Sequence, residues 1–177
     1  LTGDDSVEFD SVRFQDIASL DRADVTSRIL SGGLWPLLKQ RPFNIIADQT
    51  TPPRAIFISG FNSAPLTVHL DLALSNQTGP FQAGLNVLRR MTDGDVHLTI
   101  SEGTVSETLL NAKGVRIHYV NGPHPAGNVG IHIHHIDPLN PGETLWTISA
   151  QHVITLGTFF TTGIYDPSTI ISIGGPS

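Results

Sequence analysis

The residues best equipped for chemistry in this chain are histidines. His124, His132, His134 and His135 lie close together with Asp137 just beyond them, and neutral imidazoles beside a carboxylate are common metal ligands. The spacing tells against that use. On a helix, His132 and His135 share a face that His134 cannot join, and no Glu follows a His in the H-E-x-x-H pattern that supplies both a metal site and a base. These are therefore expected to be satisfied core or interface histidines, with no metal site and no catalytic acid or base among them.

A second stretch, Gly32-Gly33-Leu34-Trp35-Pro36-Leu37-Leu38-Lys39-Gln40-Arg41-Pro42-Phe43, carries the chemistry of ring recognition. The paired glycines admit a close approach, Trp35 and Phe43 offer flat apolar surfaces, and Lys39 and Arg41 can hydrogen-bond a carbonyl or an anion. Gly33, Trp35, Lys39, Arg41 and Phe43 are thus candidates to hold an aromatic ring with polar edges. The same residue types also suit a packed loop whose aromatics plug the core and whose cations face water, and residue types alone favour that reading.

Several other chemistries lack their signatures. No G-x-S-x-G elbow, P-loop or G-x-G-x-x-G turn occurs, so a hydrolase triad, a phosphate-cradling NTPase loop and a standard dinucleotide turn are not indicated. Asn76-Gln77-Thr78 fits a glycosylation sequon but coincides with a helix start, where Thr78 is expected to act as a cap. The chain has no Cys, which removes disulfides, thiolate-ligated clusters and thiol catalysis. With 10 Lys plus Arg against 16 Asp plus Glu, its net charge of −6 opposes a nucleic-acid partner. No apolar run approaches the roughly 20 residues a membrane-spanning helix needs.

The elements that must position these groups follow from periodicity. At 177 residues, with 39% apolar and 15% charged residues, one folded α/β domain is expected over 16–177. Residues 1–15 read as an acidic lead-in from a preceding domain, with Val7, Phe9 and Val12 alternating as a short edge strand, and both ends read as cuts from a longer protein. Helices are predicted over 16–30 with a stop at Gly32-Gly33, over 78–91, over 106–112, from about 127 to 136, and around Val153, Leu156, Phe159 and Phe160 up to Gly163. Strands are predicted over 54–59, 96–100, 115–120 and 169–173. The 34–43 segment has room for a single helical turn, and 68–74 fits either alternation or a turn of helix. Strand and helix in alternation, without internal repeat, imply an open, mainly parallel sheet with helices on both faces.

Three stretches together resemble the A subunit of the sodium-translocating NADH:quinone reductases: Ser31-Gly32-Gly33-Leu34-Trp35 with Arg41-Pro42-Phe43, then Asn121-Gly122-Pro123-His124-Pro125-Ala126-Gly127, then Gly130-Ile131-His132-Ile133-His134. Trp146-Thr147-Ile148, Gln151-His152-Val153-Ile154 and the run from Gly157 to Gly163 continue the similarity in order. The resemblance implies a Rossmann-like domain related to the flavoprotein subunit of respiratory complex I and to the C subunit of the Rnf complexes, where the equivalent glycine-rich loop holds FMN. Here Trp35 and Pro36 stand where those relatives have Gly-Gly-Ala-Gly-Phe-Pro, so the resemblance implies loss of the flavin. FMN binding as in the relatives is the alternative.

It further implies a cytoplasmic-face, peripheral domain of a bacterial inner-membrane oxidoreductase, inactive when isolated. Ubiquinone and the other subunits are the expected partners; flavins and the iron–sulfur cluster belong to those subunits. The ring-recognition residues then become quinone candidates, or the domain is a docking module only. His124, Pro125, Gly127, His132 and His134 become a structural or subunit-contact signature.

Overall fold

The computed structural model describes residues 8–174. Successive side chains of a strand point to opposite faces, so a sheet that is apolar on both faces can serve two cores at once. Strands Lys39–Arg41 (β1), Ile45–Ile46 (β2), Ile56–Gly60 (β3), Val96–Ser101 (β4), Arg116–Val120 (β5) and Leu145–Ser149 (β6) form one sheet in the order β2-β1-β6-β3-β4-β5, and its central strands β6, β3 and β4 do this here. Strands β6, β3, β4 and β5 are parallel neighbours, and the β1–β2 hairpin adds an antiparallel edge beside β6.

Helices Arg22–Ser31 (α1), Leu70–Ala73 (α2), Thr78–Met91 (α3), Glu107–Leu110 (α4), Val129–Ile136 (α5) and Ala150–Thr162 (α6) cover the sheet. One face carries the larger core, where Ile56, Ile58, Leu98, Ile100, Trp146 and Ile148 meet Val25 and Ile29 of α1, Phe81, Leu85 and Leu88 of α3, and Val153 and Leu156 of α6. On the other face Phe57, Ala55 and Leu145 pack against Ile133 of α5. Helices therefore lie on both faces of a mainly parallel sheet, as the alternation of elements predicts.

Several local expectations are corrected. The helix predicted over 16–30 is broken: a 3₁₀ segment runs Phe14–Ser19, and α1 starts afresh because extended Asp21 accepts a hydrogen bond from the Asp24 amide at 2.8 Å. Thr78 is the first residue of α3, with Gln77 at the cap position. The 68–74 segment forms the short α2, and 145–149, with no strand predicted, is the central strand β6. The 34–43 segment holds its one turn at Trp35–Leu37 but then enters the hairpin.

Residues 169–173 form no strand. They run exposed beside α6, where Gln151 Oε1 accepts from the Ile170 amide at 2.9 Å and its Nε2 donates to the Ile170 carbonyl at 3.2 Å. Phe9 and Val12 form no edge strand either, since their amides donate to the carbonyls of Gly163 and Phe160 at the end of α6. Val7 lies outside the described residues.

Candidate functional site

In an open parallel sheet, ligands collect outside the carboxyl ends of the strands. Here β3 ends at Gly60 and β4 at Ser101, and a cleft of about 220 Å³ opens there between Phe61, Thr67, His69, Asp71 and Thr104. Asp71 is already committed within it: its carboxylate accepts from the Thr104 hydroxyl and from the amides of Val105 and Ser106, which ties α2 to the loop after β4.

The ring-recognition residues do not gather in that cleft, because β1 separates them. Lys39 pairs with Thr147 and Arg41 with Leu145 in antiparallel register. Gly33 and Trp35 therefore approach from the edge where the parallel strands end, while Arg41 and Phe43 leave at the edge where they begin. Trp35 is buried; its indole Nε1 donates to the Ala47 carbonyl at 2.7 Å, and its ring meets Trp146 edge-on at 5.5 Å. It is a core residue under the hairpin and not a platform open to a ligand. Gly33 takes a left-handed φ of 71° with open space around it. Lys39 is half-buried near His152, whose pKa is lowered by burial and then by that cation.

Arg41 meets a different partner. It lines a groove of about 220 Å³ with Pro42, Gly130, Ile133, His134, Pro138 and Leu139. Gly130 makes the room, since a β-carbon there would lie 2.8 Å from Arg41 Nη2. Phe43, 79% exposed, stands at the hairpin turn beyond Arg41. Two of the three signature stretches thus converge on one surface, through Arg41 and His134.

The remaining signature residues shape the turn before α5. Gly127 donates its amide to Ser63 Oγ at 2.8 Å, and its position admits no side chain because a β-carbon would sit 2.2 Å from the Ser63 nitrogen. His124 follows a similar anchor, with Nδ1 3.3 Å from Ser63 Oγ, and its bond to Pro125 is cis. His132 is buried, and burial lowers its pKa. Being neutral, it donates from Nε2 to the Ala126 carbonyl at 2.7 Å and accepts at Nδ1 from the Thr99 hydroxyl at 2.9 Å. His134 and His135 are exposed and meet edge-on at 5.1 Å. Among the described residues, no three His, Asp or Glu converge as a metal site.

A further polar group lies on the α5 face, and of its members only Asp137 belongs to a motif named above. His97 Nδ1 lies 2.9 Å from His118 Nε2, the His97 ring stacks on Phe57, and Arg54 bonds Asp137 Oδ1 at 2.7 Å and sits 3.1 Å from Glu143. Its signal is in the strands: Val96-His97-Leu98-Thr99-Ile100 and Arg116-Ile117-His118 each alternate apolar with polar residues, placing the polar set opposite the larger core.

Taken together, the mainly parallel sheet, its two-sided helical cover and the carboxyl-edge cleft define a Rossmann-like α/β domain. Residues 20–165 match the family model described as the NqrA second alpha/beta domain. The chain belongs to this family. It is 38% identical over 174 residues to the A subunit of the Na(+)-translocating NADH-quinone reductase of Serratia proteamaculans. It is 36% identical to that of Pseudomonas aeruginosa and 34% to that of Photorhabdus laumondii, each over 176 residues. The alignments cover 98–99% of this chain and 38–39% of those relatives, so the chain spans about two fifths of their length.

Proposed function

We propose that this domain works within the A subunit of a sodium-translocating NADH:quinone reductase, where it supplies one wall of a quinone site and carries no flavin of its own. The observation that supports the quinone wall is the groove between β1 and α5. Arg41 provides a cation able to hydrogen-bond a quinone carbonyl, while Pro42, Ile133, Pro138 and Leu139 provide an apolar floor. At about 220 Å³ the groove is smaller than the roughly 300–1,000 Å³ of an enclosed small-ligand pocket. A neighbouring part of the enzyme would complete it.

Absence of flavin is supported by Trp35, which fills the segment corresponding to the relatives' glycine-rich loop and is fixed there by Ala47 and Trp146. On this reading the domain would act on the cytoplasmic side of the membrane, held there through the other subunits; no helix among the described residues is long and apolar enough to cross a membrane.

Photolabelling of the assembled enzyme with a reactive ubiquinone analogue tests the quinone wall. Label in 39–43 or 130–139, lost in Arg41→Ala, is the expected result; label confined to other polypeptides refutes it. A flavin spectrum in the purified, full-length NqrA polypeptide would refute the second part.

A docking role has its own support. Phe43, Ile45 and Ile46 are 79%, 54% and 51% exposed on one hairpin, an apolar cluster of the kind that marks protein contacts. If docking is the whole function, polar substitution there disrupts assembly, and Arg41→Ala leaves quinone affinity in the assembled enzyme unchanged.

A further inference from the structure

The His97–His118 pair on the α5 face, one ring buried and the other half-buried, belongs to neither the groove nor the carboxyl-edge cleft. His97 is 4% exposed, and its Nε2 is buried without a hydrogen-bond partner. Asp137 Oδ2 lies 3.9 Å from that nitrogen. On the ring's other side, Nδ1 lies 2.9 Å from Nε2 of His118, a half-buried residue of the outermost parallel strand. We infer that His97 and His118 form a one-proton switch, which holds the His118 side chain of edge strand β5 against His97 while the pair carries at most one extra proton and lets it swing out when a second arrives.

Hydrogen-bonding capacity sets this limit. A 2.9 Å contact between two ring nitrogens requires one to donate and the other to accept. In the neutral pair, the tautomer that aims His97 Nε2–H at Asp137 avoids a lone pair facing a carboxylate, so His118 Nε2–H donates to His97 Nδ1. One added proton leaves that contact intact: it enters at His118 Nδ1, on the side turned away from His97. The shared proton can then shift onto His97 Nδ1, which puts the charge beside Asp137 while one facing nitrogen still donates and the other accepts. A second makes donors of both facing nitrogens and places two cations in contact. His118, on an edge strand, is the member free to swing out, and His97⁺ retains Asp137.

The surrounding charges favour the first proton and resist the second. Asp137 after α5 and Asp95 before β4 favour charge on His97; Arg116 on β5 and a charged His118 oppose it. Arg54, ahead of β3, holds Asp137 and reaches Glu143 before β6, so His97⁺ would have to share that carboxylate. Burial lowers the pKa of both rings, and Arg116 lowers His118 further. The switch therefore operates below the ordinary imidazole range, not at neutral pH.

Histidine-selective NMR titration of the 177-residue chain tests the switch. Each ring is expected to report two steps separated by more than about one pH unit, with the Ile117 and Tyr119 amides moving only in the lower step. In His118→Asn the His97 ring is expected to titrate in a single step. Asp137→Asn keeps an acceptor for Arg54 and is expected to lower the upper step by about one unit. Independent single-step titration of both rings in the wild type overturns the inference. If His118→Asn does not fold, Asp137→Asn decides alone: a lowered upper step supports the switch, and unmoved midpoints overturn it.

Discussion

Gly84 and Gly157 face each other where α3 crosses α6, so close that a β-carbon on Gly157 would stand 2.7 Å from the Gly84 nitrogen and 1.8 Å from the Pro80 carbonyl oxygen. Both obstructing atoms are backbone and have no rotamer by which to move aside. Gly157→Ala is therefore expected to push the helices apart and lower stability by about 1–3 kcal/mol or more, read as a fall in urea midpoint. An unchanged midpoint would show that the crossing has slack.

Trp35 offers a separable test of its interior role. Trp35→Phe keeps a ring against Trp146 but removes the only side-chain donor to the Ala47 carbonyl among the described residues. Leaving that buried acceptor unpaired is expected to cost about 1–3 kcal/mol. Chemical denaturation measures the loss, and an unperturbed protein would place the ring outside the core.

Gly130→Ala separates the groove from the fold. Alanine in the first turn of α5 is expected to be neutral or to stabilise by up to about 1 kcal/mol, because the only close atom is the end of the flexible Arg41 side chain. Displacing Arg41 from the groove, however, is expected to reduce quinone labelling of the assembled enzyme. Unchanged labelling at unchanged stability would remove Arg41 from the site.

The buried imidazoles set a pH dependence whose sign is fixed. His97, His118, His132 and His152 all have folded pKa values lowered chiefly by burial. Below the ordinary imidazole value of 6.5 the unfolded chain therefore binds protons that the folded chain still refuses, and stability falls with pH through that window. Above 6.5 the contribution is fully present. Urea midpoints measured at about pH 7.5 and about pH 5.5, on either side of that value, are expected to differ, with the lower midpoint on the acid side. Equal midpoints would mean that these rings titrate normally in the folded state.

What periodicity reveals here is the part of the fold built from local pattern. β3, β4, β5 and the apolar stripe of α3 each carry their own signal, and Gly163 stops α6 with a left-handed φ of 73°. β6 escapes because no loop divides it from α6: Ser149 ends the strand and at once caps the helix, accepting from the His152 amide at 3.3 Å. The hairpin is hidden for a different reason, since its Lys39–Arg41 strand is polar and its partner is Leu145–Thr147, far along the chain. The apolar run 169–173 misleads because hydrophobicity does not specify a partner, and its backbone is satisfied by the Gln151 side chain.

The site divides along the same line. Residue types nominate Arg41 as a cation able to hydrogen-bond a carbonyl or an anion, and the fold sets it beside Pro42, Ile133, Pro138 and Leu139. They also lead to the expectation that His132 is a satisfied core or interface histidine, and its ring is buried with both nitrogens paired. Composition could not show that Trp35 turns inward while Phe43 turns outward, because that depends on where the hairpin meets the sheet. The His97–His118 contact joins two strands, and only the parallel register of β4 and β5 brings the rings together.

Strand β2 is two residues long, and its brevity governs what can attach at that end of the sheet. A longer edge would expose a row of unpaired amides and carbonyls onto which any extended chain could add itself, the usual route to indiscriminate aggregation. With so few free backbone groups, β2 is a poor template for such growth. If a partner docks there as proposed, recognition would have to come from the shape of Phe43, Ile45 and Ile46, selecting by side-chain fit and leaving strand-seeking competitors little to hold.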